Sequence, residues 1–245
     1  MLVLMMAAPK TSKGTLRFSG KCLLLLFILV FLNIKVSSQS QDFRGQLGSW
    51  NILTLRKDVN EKWEFVGEAQ LRSLSFYNEF HYYEMKAGIQ YNIDSVFSIL
   101  SGAGSYNTYS AGDNFNLPIQ NREIRSWLEL RMKQQLKRLS FDHRYRAEQR
   151  FTSNGYRNRF RYRLSLTIPL NNPEIKPGTY FLQSWNEIFF TDREPYFERN
   201  RLYIGGGYRF NKTVTFQTGY IHQFDYNLTD EIGRDFLMMS LSFGL

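Results

Sequence analysis

After residue 45 the chain never sustains the 3.6-residue apolar period of a helix. It alternates at period two instead. The clearest stretch is YRNRFRYRLSLTIPL at 156–170. There Arg157, Arg159, Arg161 and Arg163 share one parity, and Phe160, Tyr162, Leu164, Leu166 and Ile168 share the other. In a strand these two sets point to opposite faces. A soluble sheet would bury the apolar face and hydrate the arginines. A membrane barrel would turn the apolar face to lipid and the arginines to its lumen.

The pattern recurs along the chain. In 139–151, Phe141, His143, Tyr145 and Ala147 oppose Asp142, Arg144, Arg146, Glu148 and Arg150. In 122–132, Ile124, Leu128 and Leu130 oppose Glu123, Arg125, Trp127, Glu129 and Arg131. Strands are expected near 47–56, 63–73, 81–92, 96–108, 122–132, 139–151, 157–169, 179–190, 199–210, 213–224 and 235–245, many long enough to cross a bilayer at a tilt. Their connections alternate in kind. DVNE, NIDS, KQQLKR, NNPEIKPG and NK are short or turn-like, whereas SLSFYNE, SAGDNFNLPIQN, TSNGY, TDREPYF and DYNLTDEIGR are on average longer and more polar.

Three features favour the membrane form. Rings of the apolar parity, among them Trp63, Phe65, Tyr91, Phe97, Phe141, Tyr208, Phe210 and Phe216, cluster beside the short turns, where an aromatic girdle belongs. The chain ends in an apolar, aromatic strand, FLMMSLSFGL. Mean hydropathy is low although 16% of residues are aromatic, which suits strands apolar on one face only. The expected fold is all-β, a transmembrane antiparallel up-and-down barrel. Eleven strands can be read, but single-chain bacterial barrels use even numbers. Twelve is therefore expected, with residues 39–46 contributing to the twelfth, and ten is the alternative.

The first 38 residues carry Lys10, Lys13, Arg17, Lys21 and Lys35, no acid, and the apolar run CLLLLFILVFL. That run is short for a membrane anchor and right for the core of a signal peptide. Val36 and Ser38 occupy the −3 and −1 positions of a cleavage after Ser38, leaving one barrel domain at 39–245. Losing the leader's five cations lowers the net charge from +9 to +4, which weakens any case for nucleic-acid binding. The single cysteine, Cys22, leaves with the leader and stands at the wrong end of the apolar run for lipid modification. The expected location is the outer membrane of a Gram-negative cell, with membrane lipid and lipopolysaccharide as surroundings.

The order WNILTLRKDVNEKWEFVGEAQLR, RSWLELRMKQQL, FDHRYRAEQRF, RFRYRLSLTIPL, NEIFF and ERNRLYIGGGYRF resembles the bacterial outer-membrane family catalogued as domain of unknown function 2490. The likeness covers nearly all of the chain beyond the leader. It implies the same fold and location, and that family carries no established activity.

Catalysis is not expected. His81, His143 and His222 all have the apolar parity, so none is placed for a lumenal Ser–His–acid site. None is followed two residues later by serine. With the cysteine gone and no histidine pair at ligand spacing, no metal or cofactor is expected. Gly205–Gly207 fall inside a strand and read as room for close packing. The remaining signal is a ladder of inward cations, chiefly Arg144, Arg146, Arg150, Arg157, Arg159, Arg161, Arg163, Arg199 and Arg201. The inward acids Glu123, Glu129, Asp142, Glu148 and Glu187 are fewer. Three roles remain open: a structural mesh of Arg–carboxylate forks, a porin-like path selecting small acidic solutes or oligosaccharides by sign, and a scaffold whose loops bind lipopolysaccharide or a partner protein.

Overall fold

The computed structural model describes residues 45–111, 114–116, 118–228 and 231–245. The leader, its cleavage site and residues 39–44 of the expected twelfth strand lie outside the described residues. The described chain forms eleven strands: β1 (Leu47–Asp58), β2 (Trp63–Ser75), β3 (Asn78–Asn92), β4 (Phe97–Tyr109), β5 (Ile119–Leu136), β6 (Leu139–Thr152), β7 (Gly155–Pro169), β8 (Thr179–Thr191), β9 (Phe197–Arg209), β10 (Val214–Tyr226) and β11 (Glu231–Gly244). Consecutive strands pair antiparallel, and β1 pairs with β11 to close a barrel.

The expected strand number of twelve is corrected here to eleven among the described residues. Ten hairpin reversals leave β1 and β11 running in the same direction, so the closing ladder is parallel, from Leu47↔Asp235 to Arg56↔Gly244. A parallel ladder satisfies the same backbone groups as an antiparallel one at slightly lower stability per residue. Parity of strand number is therefore not required for closure. We call the end where β1 begins the amino rim and the end where β11 stops the carboxyl rim.

The connections also differ from expectation. Those at the amino rim span 76–77, 110–118, 153–154, 192–196 and 227–230, and those at the carboxyl rim 59–62, 93–96, 137–138, 170–178 and 210–213. The two ends are alike in length, because pairing continues through SLSFYNE and TSNGY almost to the hairpin tips, and KQQLKR is largely strand. What sets the carboxyl rim apart is chemistry. Asn60, Asp94 and Asn211 each accept backbone N–H bonds from residues two and three ahead, at 2.6 to 3.0 Å. These side chains mimic a backbone turn and hold the chain reversal. At the amino rim, Asn158 donates Nδ2–H and N–H to Asp192 at 2.7 and 3.0 Å, which holds that carboxyl below the usual range.

Period two sorts the side chains as the sequence indicates. Leu53, Met85, Ile89, Leu128, Leu202 and Ile204 stand exposed on the outer wall, while the charged parity is buried inside. Rings gather near both rims on the outside. Trp63 meets Tyr91, and Tyr180, Tyr208 and Phe210 form a chain at the carboxyl rim; Phe151 meets Tyr156 and Phe190 meets Phe197 at the amino rim. Inside, Trp50, Tyr203, Ile221, Phe236 and Met238 form an apolar cluster over β1 and β9–β11. Lumenal rings rest on cross-strand glycines: Phe181 on Gly207 and Trp127 on Gly102. The packing role expected for Gly205–Gly207 thus holds at Gly205 and Gly207, where a Cβ would run into the Tyr203 and Phe181 rings; Gly206 faces the other side and has more room.

Candidate functional site in the barrel lumen

Each arginine of the ladder lies on the inner face, and five of its members, Arg144, Arg146, Arg150, Arg159 and Arg201, are buried. The carboxylates are shared among them. Glu148, fully buried, accepts Nε–H and Nη2–H of Arg159 on Oε2 at 2.8 and 2.5 Å, Nη1–H of Arg161 on Oε1 at 2.6 Å, and Nη1–H of Arg146 at 3.5 Å. The pairing of Glu148 with Arg159 follows from a regular β6–β7 hairpin, in which the two are cross-strand partners. Glu129 takes Arg131 and Arg146, Glu123 takes Arg125 and Arg150, and Glu187 takes Arg144 and Arg161. Arg161 bridges Glu148 and Glu187, so the pairs join into one network across β5–β8. A second network on β2 and β3 links Glu68, Lys86, Glu84 and Arg72.

Two inward residues escape the parity rule because each sits at a β-bulge. Between Phe189↔Arg199 and Phe190↔Phe197 the extra residue on β9 is Glu198. Between Arg72↔Tyr82 and Ser73↔Phe80 the extra residue on β3 is His81. A bulge puts two successive side chains on one face. Glu198 consequently joins the lumen and meets Arg150, Arg157 and Arg159 at 3.1 to 3.5 Å. His81 likewise lines the lumen, which corrects its expected outward position; no serine or cysteine among the described residues lines the space beside it. His143 and His222 do face outward, bonded to Tyr162 and Asp235. Asp142 is inward but is corrected as a partner: it forms no ion pair among the described residues, and its Oδ1 is buried without a hydrogen bond. Arg199 pairs with Asp225 rather than with any of the expected acids.

The lumen is not filled evenly. A cavity of about 350 Å³ is walled by eleven arginines and Lys86 against five glutamates. Thr108, Asn121, Arg157, Glu198 and Arg234 place its mouth toward the amino rim, while Arg163, Trp185 and Glu187 line its interior. Toward the carboxyl rim the buried rings of Phe181 and Tyr203 and the buried Leu100 occupy the inner face. Several guanidiniums lie over rings: Arg72 at 3.5 Å from the Trp50 centroid, Arg201 at 4.9 Å from the same ring, Arg161 and Arg201 at 4.6 and 4.8 Å from Phe189. Such contacts favour a cation that has lost water, by roughly 0.5–2 kcal/mol each. Among the described residues no cluster of histidine and acid is arranged to hold a metal ion.

Residues 47–233 match the family described as "Protein of unknown function (DUF2490)". The chain belongs to the DUF2490 family. That match spans β1 through the start of β11, and so the whole charged network of this DUF2490 barrel. No curated protein and no solved structure matches it significantly.

Proposed function

We propose that the chain is a non-catalytic outer-membrane β-barrel, exported through its leader, whose lumen is closed by its own side chains and opens as a cationic vestibule at the amino rim. The observation that carries the membrane reading is the outer wall. Exposed Leu, Ile, Met and Phe side chains recur around the barrel, between aromatic residues near either rim. A soluble monomer rarely exposes a contiguous apolar patch beyond a few hundred Å². We assign the Asx-held turns to the periplasmic side, so that the vestibule faces outward.

Closure is supported by the lumen. Arg159 and Arg161, the middle of the arginine track, are engaged by Glu148 and Glu187, and the rings of Phe181 and Tyr203 are buried on the inner face beyond the cavity. An open anion-selective pore draws on the same arginines and is the reading that closure displaces. The rings of Phe80, Tyr83, Tyr109 and Phe115, packed together at the amino rim, favour a second role in which the loops contact lipopolysaccharide or a partner protein.

The test is insertion of the refolded protein into a planar bilayer, with flotation on phospholipid vesicles run in parallel. The expected result is flotation without stable conductance steps. Anion-selective openings that weaken in Arg159→Gln/Arg161→Gln would replace the closed barrel with a channel. Failure to float would remove the membrane reading.

A further inference from the structure

The strand register brings like charges face to face. Following one ladder row from β7 to β11, Arg163 stands opposite Glu187, Glu187 opposite Arg201, Arg201 opposite Gln223, and Gln223 opposite Arg234. On the other side of Arg163 the row continues to Arg144. Its one carboxylate, Glu187, is taken by Arg144 and Arg161. Arg163, Arg201 and Arg234 are therefore left in one row, all lining the cavity, and none forms an ion pair among the described residues. Arg201 is buried and donates its Nε–H to the neutral Gln223 at 2.8 Å; the buried Nε of Arg163 has no acceptor at all.

Cations placed directly across a ladder repel, and a buried guanidinium without an anion is costly. The rings of Trp50, Phe189 and Trp185 offset part of that cost. They supply no acceptor for the remaining N–H groups. The network elsewhere shows what satisfies them: a carboxylate shared between two or three forks. In this row Glu187 is already shared by Arg144 and Arg161, and Asp142 makes no ion pair among the described residues, so an anion from outside the chain would supply the missing acceptors.

We propose that the cavity binds a small, multiply charged anionic solute, one carrying phosphate or carboxylate groups, held by Arg163, Arg201 and Arg234. This rests on the vestibule described above. A volume of about 350 Å³ sits at the lower end of the roughly 300–1,000 Å³ usual for small-molecule sites, which limits the ligand to one or two small units rather than a polymer. Three unneutralised guanidiniums call for at least two negative charges. Forked donors favour planar carboxylate or tetrahedral phosphate over a monatomic ion.

Calorimetric titration of the refolded full chain in micelles, with pyrophosphate and citrate as probes and sucrose as the neutral control, tests the assignment. One saturable site for at least one anionic probe is expected, several-fold weaker at raised salt and at least tenfold weaker in Arg163→Gln/Arg201→Gln. Removing unpaired cations leaves the mesh intact, so this variant is expected to fold, and Arg234→Gln provides an independent check with the same loss. Arg56→Gln, which breaks an ion pair to Glu64 outside the cavity, should bind as the parent does. Flat titrations with both anionic probes, or binding that the cavity variants leave unchanged, would overturn the site. Vesicle flotation of the same preparation separates the two readings. Flotation with flat titration removes the anion site alone, and binding without flotation removes the membrane assignment alone.

Discussion

Glu148→Gln is expected to cost the barrel about 3–5 kcal/mol of unfolding free energy, the usual penalty for removing one partner of a buried ion pair. Glu148 is fully buried and holds Arg159 on one oxygen and Arg161 on the other, with Arg146 nearby. The amide offers one acceptor and two donors where the carboxylate offered acceptors only. Its Nε2 group would then point at a guanidinium, leaving a cation without an acceptor. Glu187 and Glu198, the other carboxylates on Arg161 and Arg159, are already shared with Arg144 and Arg150. Urea unfolding in micelles, followed by tryptophan fluorescence, reads the difference. Arg163→Gln serves as the contrast: with no ion pair to break, it should change stability by less than about 1 kcal/mol or raise it. Equal losses in the two variants would mean that the network is not what holds the lumen.

That asymmetry between paired and unpaired arginines was invisible in the sequence. Period two places every inward side chain except those at a bulge. The eleven strands, the inward arginines and the Glu148–Arg159 contact were all legible in that alternation. Pairing beyond a single hairpin depends on register between strands, and local alternation says nothing about register. Glu198 was left out and His81 misplaced for a related reason. A bulge inverts parity for one residue, and neither FERNR nor NEFHYY carries a glycine or proline to announce one. The strand number failed differently. Reading eleven strands was right, and the even-number rule drawn from other barrels moved the expectation to twelve, because a parallel closure leaves no mark on either strand alone.

The glycines under the lumenal rings carry the second large effect. Gly207→Ala is expected to destabilise the barrel by about 1–3 kcal/mol, although alanine suits a strand better than glycine in general. A Cβ at Gly207 would overlap Phe181 Cζ, and would stand 2.8 Å from its Cε2 and 2.7 Å from the carbonyl oxygen of Phe216. The backbone contact cannot yield without moving β10. The ring is buried and directly across the ladder, so it yields only by leaving its seat. Phe181→Ala alone should cost more, about 3–5 kcal/mol, because it empties a filled part of the lumen. If the ring and the glycine form one packing unit, the double variant falls short of the summed losses by at least about 1 kcal/mol. Strict additivity in that cycle would mean that the ring does not depend on the glycine. The closure of the lumen toward the carboxyl rim would then need another cause. Coupling would place this part of the seal in the fit of the Phe181 ring onto the bare backbone of Gly207.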